Sequence, residues 1–307
     1  MSFNILYLRL SVLQLNDIHL QLLQQAIEHS IRADRSLVVI VDPASTIPRS
    51  IETTQQWQQW QSLLGTLYLT QVRLAYANDQ PLFDMTVYPF LDDTVVLSGH
   101  PALFATTQDL RLLHEWNGMR QHMGRSKFEE IHTLEGQQDA DNNDDDDKEP
   151  SQCFERVVVG GTFDHLHAGH KILLTMTALL STRDIVVGVT DDDMLQSKKH
   201  KEWLEPIEKR LEHVQEFCQR IRPDVNVSVV PIADPYGPTI TDPTMDALVC
   251  SQETLKGGHM VNDERRLRNY PPLVLRVIDV ISPGDDQSSM TDKISSTWIR
   301  HYLATRT

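Results

Sequence analysis

The 307-residue chain has no run of the ~18–20 apolar residues that a membrane-crossing helix requires. Its N-terminus, MSFNILYLRLSVLQLND, is broken by polar residues and no small-residue cleavage site follows, so no signal peptide is expected. Positive charge is scarce. Lys and Arg number 28 against 43 Asp and Glu, a net charge of −15. General nucleic-acid binding is therefore not expected, because a phosphate backbone needs a basic face. Cysteine is also scarce. Cys153, Cys218 and Cys250 are widely spaced, odd in number and form no CxxC pair. This usage fits a reducing compartment, expected to be the cytoplasm and also the nucleus. Cys218 falls on the apolar side of a predicted helix and Cys250 in an apolar strand, as core residues do. A GxxxxGK[ST] phosphate loop is missing throughout.

The charge deficit is uneven. Residues 1–150 hold 10 Lys/Arg and 21 Asp/Glu, a net −11, whereas residues 151–307 hold 18 and 22, a net −4. The second part is compatible with a local basic pocket for an anionic ligand. The stretch EGQQDADNNDDDDKEP, residues 135–150, is the clearest boundary. Its four consecutive aspartates, Asp144 to Asp147, repel one another and have nothing to bury. A solvated, disordered linker is expected, with a metal- or partner-binding acidic tail as the alternative. Three parts follow: an N-terminal α/β domain over 1–134, the linker over 135–150 and a second domain over 151–307.

Strand-like and helix-like segments alternate in both domains. FNILYLRL and SLVVIVDP read as strands, and DTVVLSG as another. DIHLQLLQQAIEHSIRAD is helical in rhythm, with Ile18, Leu22, Ala26 and Ile27 on one side, and TQQWQQWQSLLGTLYL predicts a second helix. No phosphate loop, metal-ligand spacing or nucleophile motif stands in residues 1–134, and no protein-held metal is expected anywhere in the chain. An interaction or regulatory role is the leading expectation for this domain.

The second domain alternates more cleanly. RVVVGG, DIVVGVTD, NVSVVPI, DALVCS and LVLRVIDV read as strands. HAGHKILLTMTALLS, PIEKRLEHVQEFCQRIRP and SSTWIRHYLA read as helices. In the second of these, which starts at Pro206, Ile207, Leu211, Val214, Cys218 and Ile221 line one face. Short continuous apolar strands suit a parallel sheet buried on both faces. The expectation is α/β, a doubly wound parallel sheet of Rossmann-like type, with ligands beyond the carboxyl ends of the strands.

The stretch VVVGGTFDHLHAGHKILL, residues 157–174, lies at such an end. Gly160 and Gly161 permit an unusual turn and a close ligand approach, and Thr162 adds a hydroxyl. His167 and His170 are three apart, so both imidazoles can face one side of a helix's first turn. That helix start offers free N–H groups and a partial positive charge. Together these features make a phosphate cradle. Zinc is the alternative, but HxHxxH is not a usual zinc spacing and no cysteine is near. Packing alone is a second alternative.

GTFDHLHAGH resembles the GxFDxxHxGH signature of the nucleotidyltransferase superfamily, and KISSTWIRHYL, residues 293–303, resembles its ISSTxIR motif. The resemblance extends over roughly Arg156 to Leu303 and is strongest to the eukaryotic phosphopantetheine adenylyltransferase family, the monofunctional fungal form related to the first activity of animal CoA synthase. It includes VGVTDDDML, ADPYGPTITDP, LVCSQETLKGG and VIDVISP. The later cytidylyltransferase motif RxxGISTT is not matched. The nicotinamide mononucleotide adenylyltransferases, the alternative family, typically have Asn-Pro where this chain has Asp164-His165.

This resemblance implies transfer of AMP from ATP to 4′-phosphopantetheine, giving 3′-dephospho-CoA and pyrophosphate in coenzyme A synthesis. It implies catalytic roles for Thr162, His170 and Lys198 or Lys199, which would hold the α-phosphate and the incoming oxygen. It implies ATP contacts from Gly160, Gly161, Phe163, His167, Ser251, Glu253, Thr254, Ser295, Ser296, Thr297 and Arg300. Of these, His167, Ser296, Thr297 and Arg300 would hold the leaving pyrophosphate. Acceptor contacts would come from Lys198, Lys199, Asp234 and Tyr236. Mg²⁺ is expected with ATP. Other enzymes of coenzyme A synthesis, including a separate dephospho-CoA kinase, are expected partners. His165 has no role in the motif.

Overall fold

This computed structural model describes residues 3–98, 102–135, 152–278 and 295–306. The acidic stretch beyond Glu135, most of VIDVISP, and Lys293 and Ile294 lie outside the described residues. The chain divides into two compact units, one of Met1–Pro48 with Ser62–Asp147, the other of Arg49–Gln61 with Lys148–Thr307. Residues 49–61 thus belong with the second unit.

The first unit holds a five-stranded sheet of β1 (Phe3–Leu10), β2 (Ser36–Pro43), β3 (Met85–Tyr88), β4 (Ala102–Thr106) and β5 (Glu130–Leu134). The order is β3-β2-β1-β4-β5 and every pairing is parallel. Helices α1 (Asp17–Arg32), α2 (Thr54–Ala77, in this unit from Ser62 on), α3 (Asp93–Ser98) and α4 (Leu110–His122) join the strands. Asn16 caps α1 through the His19 N–H at 2.9 Å. The helix buries Leu22, Leu23, Ala26 and Ile27, the side that its periodicity picks out.

DTVVLSG is not a strand. Asp93–Ser98 is helix α3, started by Asp92, whose Oδ1 accepts from both the N–H and the hydroxyl of Thr94. An acidic cap at a helix start overrides the β-propensity of two valines, of which only Val96 is fully buried. The strand of this region lies further on, at Ala102–Thr106, with all five residues buried.

The second unit repeats the arrangement. Its strands are β6 (Phe154–Gly161), β7 (Ser181–Thr190), β8 (Asn226–Ile232), β9 (Ala247–Ser251) and β10 (Val274–Ile278), in the order β10-β9-β6-β7-β8. All pairings are again parallel. Read from the first strand of each unit, the two sheets share one topology. Helices α5 (Ala168–Leu180), α6 (Ile207–Ile221), α7 (Leu255–Leu267) and α8 (Ser296–Thr305) complete the unit. Pro206 is the cap of α6 rather than its first residue, which suits a residue with no N–H to donate. Cys218 and Cys250 are buried, as expected of core residues.

The connections leave β6 toward β7 and β8 on one side and reach β9 and β10 on the other. The order therefore reverses between β6 and β9, and a crevice opens beyond their carboxyl ends. No described helix is long and apolar enough to cross a membrane.

Candidate active site

A cavity of about 450 Å³ occupies that crevice, a size that holds a nucleotide-scale ligand. Gly160 and Gly161 from the end of β6 and Val249 and Ser251 from β9 form its floor. A β-carbon on Gly161 would stand 3.1 Å from the Phe163 ring, so only glycine leaves that ring its place. Phe163 and His165 both have left-handed backbone, with φ of 50° and 48°. Bulky residues rarely adopt it, and such strain gathers where a loop is held for function.

Helix α5 starts at the cavity, with His167 as its N-terminal flanking residue. Its first N–H groups have no partner within the helix and supply a partial positive charge. The His167 and His170 rings stack at 3.9 Å with 24° between planes. Burial lowers the basicity of both; at His167 the neighbouring His170, Lys171 and His165 add to it and take it well below the usual value, whereas at His170 the Glu205 carboxylate partly offsets it. The pKa of His170 falls to about 4. Both rings are thus neutral at pH 7. The Nδ1 atoms of both are buried without a hydrogen-bond partner, an arrangement that costs free energy. Ser296 Oγ lies 3.4 Å from His167 Nε2 and donates to the Asp164 carbonyl at 2.8 Å.

The opposite wall is the start of α8. Ser295 caps it by accepting from the Trp298 N–H at 3.2 Å, and Ser296 and Thr297 face the cavity. Arg300 also lines it, yet its charge is committed. The guanidinium donates to Asp164 at 2.5 Å, to the Lys199 carbonyl at 3.0 Å and to Thr297 Oγ1 at 3.2 Å. Asp164 is fully buried and accepts the Glu205 N–H at 2.9 Å through its other oxygen.

His165 now has a place. Its ring meets the Trp203 carbonyl at 2.7 Å and its N–H donates to Glu205 at 2.8 Å. It ties the loop to residues 203–205 and does not line the cavity. Beneath the loop, the fully buried Arg210 donates to the carbonyls of Thr162 at 2.7 Å, Thr190 at 2.8 Å and Glu205 at 2.9 Å. Arg210 therefore fixes the backbone that presents Thr162.

Every residue expected to contact ATP lines the cavity. Of the two candidate lysines, Lys198 lines it, whereas Lys199 contributes its carbonyl to Arg300. Asp234 and Tyr236 do not line it. Asp234 Oδ1 accepts the N–H groups of Tyr236 and Gly237, both at 2.8 Å, and Tyr236 packs against the core around Val158 and Met245. Asp164, Glu205 and Arg210 hold the loop although the motifs assign them no role. A charged residue in an otherwise apolar face, as Arg210 is in α6, was the one local sign.

Residues 158–302 match the cytidylyltransferase-like family. A phosphopantetheine adenylyltransferase of Saccharomyces cerevisiae is 30% identical over 288 residues, 88% of this chain and 93% of that protein. The chain belongs to the phosphopantetheine adenylyltransferase family. An archaeal member, from Methanopyrus kandleri, is 40% identical over 151 residues, 49% of this chain and 92% of its own length. An uncharacterized protein of Schizosaccharomyces pombe is 43% identical over 187 residues, and the match spans 60% of this chain and 58% of that one. The archaeal phosphopantetheine adenylyltransferase is therefore matched by about half of this chain, whereas the budding-yeast one is matched across both units.

Proposed function

We propose that this protein transfers AMP from ATP to 4′-phosphopantetheine, releasing pyrophosphate and forming 3′-dephospho-CoA. Relatives named for that activity support the reading. The single observation that carries it is the stacked, neutral His167–His170 pair at a helix N-terminus, lining a nucleotide-sized cavity.

The acceptor phosphate is already an oxyanion at neutral pH, so the reaction needs no general base. One acceptor oxygen attacks the α-phosphorus of ATP, the bond to the β-phosphate oxygen breaks, and its electron pair leaves with pyrophosphate. What the protein must supply is in-line positioning and relief of negative charge. Thr162, His170 and Lys198 are assigned to the α-phosphate and the attacking oxygen. His167, Ser296, Thr297 and the N–H groups opening α8 are assigned to the departing pyrophosphate. Arg300 orders these groups through Asp164 while presenting one edge to the cavity. Ser251, Glu253 and Thr254 border the nucleotide on the β9 side.

A divalent metal accompanies ATP in this class, and we assign Mg²⁺. Glu253 is the sole carboxylate of the described cavity lining, a donor set that suits an ion held by phosphate oxygens and water rather than by a protein cage. When bound, the ion offsets phosphate charge.

No disulfide joins Cys153, Cys218 and Cys250, which supports a reducing compartment, the cytoplasm. Residues 151–307 are assigned to catalysis and 1–134 to interaction with other enzymes of coenzyme A synthesis. The test is to incubate the protein with ATP and 4′-phosphopantetheine, or with nicotinamide mononucleotide, and follow pyrophosphate. Release is expected with the first acceptor alone. Release only with the second, or with neither, overturns the assignment.

A further inference from the structure

We propose that the first unit carries a binding site for a divalent transition-metal ion, best matched by Zn²⁺, formed by His29, Glu130 and His132. One donor atom from each of these residues lies within 4.8 Å of the others. Glu130 Oε2 is 2.9 Å from His132 Nε2 and 3.7 Å from His29 Nε2. A tetrahedral ion with nitrogen and oxygen ligands at ~2.0–2.2 Å separates its donors by about 3.3–3.5 Å. The glutamate–histidine separations straddle that range within a few tenths of an ångström. Rotation of Glu130, whose side chain is half exposed, adjusts both of these separations.

The fold brings these three residues together. Glu130 and His132 are two apart on β5, so both project to one face of the sheet. Helix α1 packs on β4 and β5 and presents His29 from its last turn. The imidazoles are oriented before any ion arrives. His132 stacks on Phe104 at 4.6 Å with 10° between planes, and His29 meets the same ring edge-on at 5.5 Å. Phe104 is buried on β4 and is the direct strand partner of His132. Side-chain exposures of 22% for His29 and 39% for His132 leave the donors open to solvent.

Two imidazoles and one carboxylate select the class of ion. Mg²⁺ and Ca²⁺ prefer oxygen ligands alone, whereas imidazole nitrogen suits Zn²⁺ and its neighbours in the first row. Three protein ligands leave a fourth position for water. All three residues belong to the first unit, so the site does not depend on the proposed transfer reaction. No adjacent motif announces it, because position 29 and positions 130 and 132 are about a hundred residues apart.

The test uses the full, tag-free chain after removal of metal with a chelator. Zn²⁺ is titrated calorimetrically into the wild type, Glu130→Gln, His132→Ala and His170→Ala, with the thermal midpoint read with and without the ion. Expected is one ion per chain in the wild type and in His170→Ala, with a raised thermal midpoint. At least about a tenfold weakening is expected in Glu130→Gln, and loss in His132→Ala. Co²⁺ in place of Zn²⁺ should give visible bands in the wild type that vanish in His132→Ala. Glu130 is exposed, so its variant folds and keeps the test decisive. Absence of stoichiometric Zn²⁺ binding by the wild type overturns the site, as does affinity unchanged in both Glu130→Gln and His132→Ala.

Discussion

Arg300 and Asp164, 136 positions apart, form an ion pair at 2.5 Å with side-chain exposures of 2% and 0%. This pair joins the loop before α5 to the helix that carries the serine–threonine wall. Removing one partner of a buried pair strands the other charge, which typically costs ~3–5 kcal/mol. Asp164→Asn should lower the denaturant midpoint by a corresponding amount and weaken ATP binding. Asp164→Asn/Arg300→Gln should recover part of the stability without recovering turnover, because coupled residues are not additive. A single variant as stable as wild type would show that the pair contributes nothing to holding the site.

His170 should couple stability to pH. Its folded-state pKa is depressed to about 4 from an ordinary 6.5, first by burial. Between those values the unfolded chain binds the extra proton and the folded chain does not. The contribution is therefore fully present above about pH 6.5 and is lost as pH falls toward 4. His167 is shifted in the same direction. Urea titrations of His170→Gln across this window should show a shallower decline than wild type, and equal slopes would contradict the buried neutral ring. Turnover of His170→Ala should drop by about 10²–10³, as for loss of one preorganised donor.

The two lysines should separate in kinetics. Lys198→Ala removes a side chain that lines the cavity and should lower kcat/KM by about 10²-fold or more. Lys199→Ala keeps the carbonyl that accepts from Arg300 and should stay within a few-fold of wild type. Steady-state rates with both substrates varied will distinguish them. The reverse order would reassign the phosphate contact.

A fragment beginning at residue 151 should be less stable than its length suggests. It lacks Arg49–Gln61, which belongs to the second unit. Ile51 is 3% exposed and its N–H donates to the Leu179 carbonyl at 2.7 Å. The buried Arg222 donates to the Arg49 carbonyl at 3.0 Å. Losing the burial of Ile51 alone costs about 1.5–3 kcal/mol. Thermal melts of the fragment should rise when a peptide of residues 49–61 is supplied, and an unaffected midpoint would remove the segment's role.

The parallel α/β class, most helices and the residues gathered around the cavity were legible in the linear chain. Their signals are local: apolar runs of strand length, helical periodicity, and glycine, threonine and histidine within eleven positions. A local signal also misled at DTVVLSG, where valine content suggested a strand and the Asp92 cap decided for a helix. Asp234 and Tyr236 lie apart from this cavity, in a turn and against a core.

Periodicity and motif spacing determined the class of this protein and the residues that line its cavity, because each depends on neighbours a turn or a strand apart. Tertiary structure alone decided how those residues are held. Whether Arg300 is a free cation or the partner of Asp164 depends on a contact across 136 residues. That Lys198 lines the cavity while the Lys199 carbonyl accepts from Arg300 depends on a contact across 101 residues. The meeting of His29 with Glu130 and His132 depends on α1 packing over β5. Burial sets the charge on His167 and His170, and burial is a property of the folded chain, not of any segment within it.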